Sequence, residues 1–344
     1  MDKTQFRRRL RTWFQRHGRD LPWRRTLDPY AILVSEMMLQ QTTVAAVVPF
    51  YERWMQRFPS VKKLAAAEES EVLALWQGLG YYRRARNLHV AAQKISGQLK
   101  GKFPRDYDGL RALPGVGDYT ANAVLAFSHD ECVPVLDANV IRVVARLFDI
   151  CSPVDSAKGL AQVRAELESL LPAREGREFS SALMELGALV CRAGRPDCLV
   201  CPVKEFCAAR HPEKLPRKAP KAPIKERAED AAWVSDGKTI LLQQAQTKRW
   251  VGLWRLPPLD ASRPAGCVAQ LTYSIVRERV TLRVQRMTKD GLSASAEPRQ
   301  AFSFGELECI PIPSPHRRAI AKVLGQPHIP KDQNKPQRIP RAQL

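Results

Sequence analysis

Apolar residues recur at helical intervals almost without a break from Phe6 to about Cys191, in stretches such as VVPFYERWMQRF, EVLALWQGLG and EFSSALMELGALV. Apolar positions three and four apart share one face of a helix, so the pattern predicts an all-α domain, placed at residues 1–210. Between Lys204 and Arg227 the pattern gives way to basic side chains and to Pro212, Pro216, Pro220 and Pro223. That composition suits an extended basic linker, placed at residues 211–227. Beyond it the period shortens to two. AAWVSDGKTILLQQ reads as two short strands around Asp236-Gly237, and LTYSIVRERVTLRV alternates apolar with polar side chains. A helix near His316 to Leu324 closes what is expected to be a mixed α+β domain over residues 228–325. Residues 326–344 are Pro-rich, basic and nearly free of large apolar side chains, the composition of a disordered tail. No internal repeat is visible.

The chain has 344 residues, 44% of them hydrophobic, enough to give two domains a core each. Fifty-five Lys and Arg stand against 35 Asp and Glu, a net charge of +20 with an isoelectric point near 9.9. So basic a protein attracts polyanions, nucleic acid first among them. The N-terminal segment carries arginines where a signal peptide needs an apolar core, and no later segment approaches a membrane-spanning length. The expectation is a soluble protein, cytoplasmic and nucleoid-associated, with no membrane partner.

Charge names no chemistry, but the cysteines do. Cys191, Cys198, Cys201 and Cys207 form a Cys-x6-Cys-x2-Cys-x5-Cys loop, four thiols within seventeen residues. Four soft sulfur ligands suit a [4Fe–4S] cluster or a tetrahedral zinc ion, with a pair of disulfides as the plainer alternative. Cys132, Cys151, Cys267 and Cys309 are scattered and form no second site. Upstream, Leu113-Pro114-Gly115-Val116-Gly117 lies between two helical segments. Its glycines allow a tight turn whose backbone N–H groups, at the start of the second helix, can hold a DNA phosphate without reading a base. An ordinary αα-hairpin turn is the plainer alternative.

A helix-LPGVG-helix hairpin followed by this cysteine loop resembles the helix-hairpin-helix DNA glycosylases of the endonuclease III superfamily. The segments DLPWR, VSEMMLQQT, GLGYYRRARNLH, LPGVGDYTANAV, LDANVIRVVAR and MELGALVC narrow the resemblance to the MutY-type adenine DNA glycosylases. It is dense and in order over residues 5 to 210. Over residues 228 to 325 it is weaker, resting on ILLQQ, GLWRLP and SPHRRAI, which look like that family's Nudix-like C-terminal domain. The resemblance implies a monomeric, monofunctional enzyme of base excision repair, acting on double-stranded DNA that contains adenine opposite 8-oxoguanine or guanine. It also implies a [4Fe–4S] cluster on the four cysteines, with Arg192 and Arg195 near the phosphate backbone.

Cleaving an N-glycosidic bond asks for a better leaving group and for stabilisation of a cationic sugar, and two carboxyl groups in different protonation states supply both. Glu36 lies in AILVSEMML, where apolar neighbours should desolvate it and keep a fraction protonated near neutral pH. The resemblance makes it the residue that protonates adenine N7. Asp137 opens the helix of LDANVIRVVARL; it is expected to cap that helix and, held ionised there, to stabilise charge on the sugar. Asn139 would orient nearby groups. Tyr119 stands where bifunctional relatives carry a lysine, so no Schiff-base lyase step is expected. Trp23 and Arg24 match pocket residues for the extruded adenine, while Gln40, Gln41 and Tyr81 match positions that fill or wedge the gap.

Two departures bear on specificity. The family pattern FN(Q/E)A reads Phe179-Ser180-Ser181-Ala182 here, and Ser181 is too short to hydrogen-bond the adenine directly. The Phe-Ser-His loop that senses 8-oxoguanine is at best Tyr273-Ser274-Ile275, which keeps only Ser274. A glycosylase of the same scaffold with altered base or opposite-base specificity is therefore a second reading, and a mispair-sensing iron–sulfur protein without enzymatic activity a third. Glu36 and Asp137 argue against the third, since a binder has little need of a desolvated carboxylate.

Overall fold

The computed structural model describes residues 1–220, 223–247, 249–259, 266–275 and 277–325. The tail expected over residues 326–344 lies outside the described residues. Helices follow one another through the first part of the chain: α1 Lys3–His17, α2 Pro29–Leu39, α3 Val44–Arg57, α4 Val61–Ala65, α5 Glu69–Leu75, α6 Arg83–Gly97, α7 Tyr107–Arg111, α8 Asp118–His129, α9 Ala138–Leu147, α10 Ala157–Leu170 and α11 Gly176–Leu189. Short polar side chains set many of their starts. Asp2, Asp28, Asp106, Asp137 and Ser156 each accept a backbone N–H in the first turn of α1, α2, α7, α9 and α10.

Strands and a last helix occupy the C-terminal part: β1 Lys225–Trp233, β2 Thr239–Gln244, β3 Trp254–Arg255, β4 Pro258–Leu259, β5 Cys267–Ile275, β6 Glu278–Arg286, β7 Arg299–Ser303 and α12 Ser314–Val323. The mainly α first region and the α+β second region are thus as the hydrophobic periods indicate. One sheet has the order β4-β1-β6-β5 and the other β3-β2-β7. Strands β5 and β6 pair antiparallel, whereas β1 and β6 run parallel. The two strands expected around Asp236-Gly237 both form, but they enter different sheets, joined by one bridge from Ser235 to Ile240. Strand β1 begins at Lys225, inside the stretch read as linker.

The chain divides into two compact units, each discontinuous in sequence. The first holds residues 1–40, 55–65 and 90–221; the second holds 41–54, 66–89 and 222–344. Helices α3 and α6 pass from one unit to the other, a division that a uniform helical period cannot announce. In the first unit, Phe6 and Leu10 of α1 join Val140, Val144, Leu183 and Leu186 in one apolar core. Helix α2 is buried on all sides from Tyr30 to Met38, so any polar group it carries is taken out of water. In the second unit, Ala319 and Ile320 of α12 pack with Val280, Leu282 and Val284 of β6.

Candidate active site

Glu36 is the ionisable group that α2 buries in its apolar run. Asp28 caps the helix by accepting the N–H of Tyr30 at 3.0 Å, with Pro29 opening its first turn. Two turns later the Glu36 carboxyl is 2% exposed. The Tyr119 hydroxyl, from the first turn of α8, donates to Glu36 Oε2 at 2.6 Å. Burial pushes Glu36 from 4.5 up to about 7; the Tyr119 hydrogen bond and the Arg24 charge oppose that rise, and the Asp137 charge adds to it. Tyr119 itself is driven well above the usual phenol range by burial and by the two carboxylates, so it stays a donor. A carboxyl titrating near 7 is poised to give a proton to one group and recover it from another.

Asp137 caps α9, as expected: Oδ1 accepts the Val140 N–H at 2.6 Å and Oδ2 accepts Asn139 Nδ2 at 2.8 Å. Those bonds pull its pKa down, but burial is the larger influence and the net direction is upward. The helix N-terminus therefore restrains the rise without reversing it. Asn139 accepts in turn from Arg142 at 2.7 Å, and the same guanidinium donates to the carbonyls of Gly187 and Cys191, both at 2.7 Å. Arg142 thus joins the Asp137 cap to the end of α11. Gly187 is required for that approach, because a β-carbon there would lie 2.6 Å from Asn139 Cβ and 2.9 Å from its carbonyl oxygen. Neither residue was singled out from the sequence; the Asn139–Arg142 spacing of three and the glycine inside MELGALV were the available signals.

The four cysteines of the loop are free thiols, with no disulfide among them. Arg146, fully buried, donates to Cys191 Sγ at 3.3 Å and to the carbonyls of Arg192, Gly194 and Leu215 at 2.8, 3.0 and 3.0 Å. Burial pushes the Cys201 thiol up to about 11, and the charges of Cys191, Cys207 and Cys198 push the same way. Among the described residues no group of three or more His, Cys, Asp or Glu surrounds a single metal-ion position. Four thiols near enough to feel one another's charge, with the Arg146 guanidinium beside them, offer soft sulfur donors of the kind that a zinc ion or an iron–sulfur group takes.

The hairpin between α7 and α8 is built as its sequence suggests. Gly115 adopts a left-handed φ of 79°, a conformation a side chain would strain. Leu113 and Val116 turn inward and are buried, while Arg111 braces the turn by donating to the Val116 carbonyl at 2.7 Å. Gly117 caps α8 with no side chain of its own, leaving the first-turn N–H groups of α8 without a capping side chain.

A family model described as "HhH-GPD superfamily base excision DNA repair protein" matches residues 34–172. The adenine DNA glycosylase of Mycobacterium tuberculosis (strain ATCC 25618 / H37Rv) is 45% identical over 214 residues, 61% of this chain and 69% of that protein. That of Buchnera aphidicola subsp. Schizaphis graminum (strain Sg) is 32% identical over 260 residues, 74% of this chain and 75% of that protein. The chain belongs to the adenine DNA glycosylase family. The alignment with the Rattus norvegicus adenine DNA glycosylase, 44% identical over 218 residues, covers 60% of this chain and only 42% of that protein. Among solved structures, a thermostable thymine-DNA glycosylase superposes with a TM-score of 0.55 at 28% identity, over 60% of this chain and 95% of that one. Endonuclease III in a trapped covalent complex with DNA superposes with a TM-score of 0.52 at 26% identity, over 62% of this chain and 98% of that one.

The other positions matched to adenine DNA glycosylases divide between the two units. In the first, Trp23 is buried and Arg24 donates to Glu185 Oε2 at 2.7 Å. Glu185, 1% exposed, also accepts from Arg19 Nε at 2.5 Å. Its own burial would raise it, yet the two arginines hold it below the usual carboxylate range. Gln40 reaches Thr120 Oγ1 at 3.4 Å, and Ser181 is buried on α11. In the second unit, Gln41 and Tyr81 both have left-handed φ, 58° and 48°, and Tyr81 is 52% exposed. Tyr273, Ser274 and Ile275 close strand β5, with Ser274 exposed opposite Arg279 of β6. The structure therefore brings Glu36, Tyr119, Asp137, Asn139 and Arg24 into one electrostatic group. Glu185, inside the MELGALVC segment but given no role by its sequence, joins that group through its ion pair with Arg24.

Proposed function

We propose that the chain is a monofunctional adenine DNA glycosylase of base excision repair, releasing adenine mispaired with 8-oxoguanine or guanine from double-stranded DNA. The observation that carries this reading is Glu36: a carboxyl buried in an apolar helix, held by Tyr119, with pKa raised to about 7. Its proton passes to adenine N7, the C1′–N9 bond breaks with its electron pair going to the base, and neutral adenine leaves. Asp137 stabilises the cationic sugar. Water then adds to C1′ and returns a proton to the Glu36 carboxylate. Tyr119 supplies no amine, so the sugar is left hydrolysed and the strand uncut.

Cys191, Cys198, Cys201 and Cys207 would hold a [4Fe–4S] cluster, which supplies a rigid, cationic-surfaced loop for the DNA backbone rather than a redox step. The glycine-capped start of α8 suits a phosphate. Trp23 and Arg24 would receive the extruded adenine, Gln40, Gln41 and Tyr81 would fill the gap, and Ser274 would face the opposite base. The protein would act as a monomer in the cytoplasm, on the nucleoid. Among the described residues no helix is long and apolar enough to cross a membrane.

Ser181, with no reach to a base edge, favours a second reading, in which the same scaffold removes a different base. Single-turnover release from duplexes with adenine opposite 8-oxoguanine, adenine opposite guanine and thymine opposite guanine separates the two. Fast adenine loss opposite 8-oxoguanine, with strand breaks only after alkali, is expected. Release of thymine instead would replace the first reading by the second.

A further inference from the structure

The loop that carries Tyr81 is held from two sides. Gly78, Gly80 and Tyr81 have φ values of 109°, 69° and 48°, and for a tyrosine that conformation is paid for by the surrounding contacts. From the helical side, the Trp76 indole donates to the Gly80 carbonyl at 3.0 Å, and Arg84 donates to the carbonyls of Leu79 and Gly80 at 3.0 and 3.2 Å. The Arg84 guanidinium also lies 5.4 Å from the Tyr81 ring centroid.

The other side belongs to the C-terminal residues of the same unit. Arg317, in the first turn of α12, donates to the carbonyls of Leu307 and Ile310 at 2.5 and 3.2 Å and reaches Gln77 Oε1 at 3.1 Å. The buried Tyr82 hydroxyl donates to the Ile312 carbonyl at 3.3 Å. Burial pushes that phenol up to about 12, and the Arg317 charge draws it back. A third contact lies beyond the loop, where a β-carbon at Gly252 would come within 2.8 Å of the Arg86 guanidinium, itself paired with Glu69 at 2.8 Å. Gln77, Tyr82 and Arg86 bracket Tyr81 in sequence, and each meets a C-terminal group. A side chain this exposed, on a backbone this restricted, has its direction set by what holds the loop ends.

We propose that Arg317 is a positioning residue for Tyr81, so that entry of the tyrosine ring into the DNA stack depends on the C-terminal strands and helix. The inference rests on the reading of Tyr81 as the residue that fills the gap left by the extruded base. It adds that α12 serves the penetrating loop as well as its own sheet.

Two measurements on the full chain test it. Hydrogen exchange of the DNA-free protein reads the loop directly: Arg317→Gln should speed exchange at residues 77–82 about tenfold and leave α8 unchanged. Unchanged exchange at residues 77–82 overturns the proposal. The second is a double-mutant cycle on binding to a duplex whose adenosine, opposite 8-oxoguanine, carries a 2′-fluorine and resists base loss. Arg317→Gln should weaken binding about tenfold when Tyr81 is present and less than twofold in Tyr81→Ala. Equal weakening in both backgrounds, as a general loss of stability would give, overturns it. Tyr82→Phe, which deletes one hydroxyl, should repeat both effects at smaller size and serves if Arg317→Gln fails to fold. Should the unaltered protein release no adenine, the functional reading fails while the exchange measurement still decides whether Arg317 holds the loop.

Discussion

Replacing Glu36 with glutamine should make the protein inactive and, above neutral pH, more stable. The folded state raises this carboxyl from 4.5 to about 7, so folding favours its protonated form. At about 1.4 kcal/mol per pH unit, the difference corresponds to roughly 3 kcal/mol. Because the folded pKa lies above the unfolded one, the contribution is fully present below pH 4.5, is lost as pH rises towards 7, and stays lost above it. Glutamine has nearly the same shape and never ionises. The gap between the two proteins should therefore open between about pH 5 and 7.5, reach about 2–3 kcal/mol in favour of Glu36→Gln, and then stay level. Urea unfolding at half-unit pH steps from 5.5 to 9 measures it. A gap that does not change with pH, or a Glu36→Gln protein less stable than the parent at pH 8.5, would show that Glu36 is not strained by its burial. Adenine release at the parent's rate would remove Glu36 from the chemistry. The cost of holding a desolvated carboxyl is a familiar reason for active sites to lower stability.

The single-turnover rate of the parent protein should be level below pH 7 and fall about tenfold per unit above it, as the Glu36 proton is lost; a flat alkaline limb would assign the acid elsewhere. Tyr119→Phe removes the hydroxyl that favours ionised Glu36, so the alkaline limb should move to higher pH; a move to lower pH would reverse the assigned role of that hydrogen bond. Gly187→Ala drives a methyl group into Asn139, and about 1–3 kcal/mol of stability should go with a slower release step; full activity would mean that the Asp137 cap tolerates displacement. Arg146→Met leaves four backbone carbonyls and Cys191 Sγ without their cation, and the purified protein should hold substoichiometric iron by colorimetric assay. Full iron content would make Arg146 dispensable to the loop.

Much of the architecture is legible in the periods, because α9 and α10 keep apolar positions on one face and β5 and β6 alternate. Glu36 could be picked out for the opposite reason: it is a lone carboxylate in a helix with no polar face. What sequence spacing cannot supply is contact between distant segments. Glu36 and Tyr119 are 83 positions apart, and nothing local in either helix says that they meet. The grip of Arg19 and Arg24 on Glu185 is hidden the same way, since each is unremarkable on its own element. The division of the helical region between two units was equally invisible, because α3 and α6 keep one period across it.

The pairing of Arg19 with Glu185 spans 166 residues, and Phe6 and Leu10 of α1 find their apolar partners on α9, α10 and α11. During synthesis at 5–20 residues per second, the first helix therefore leaves the ribosome on the order of ten seconds before the surface it will cover. Throughout that interval its apolar face has no native partner. Any pause in translation ahead of residue 176 lengthens that exposure.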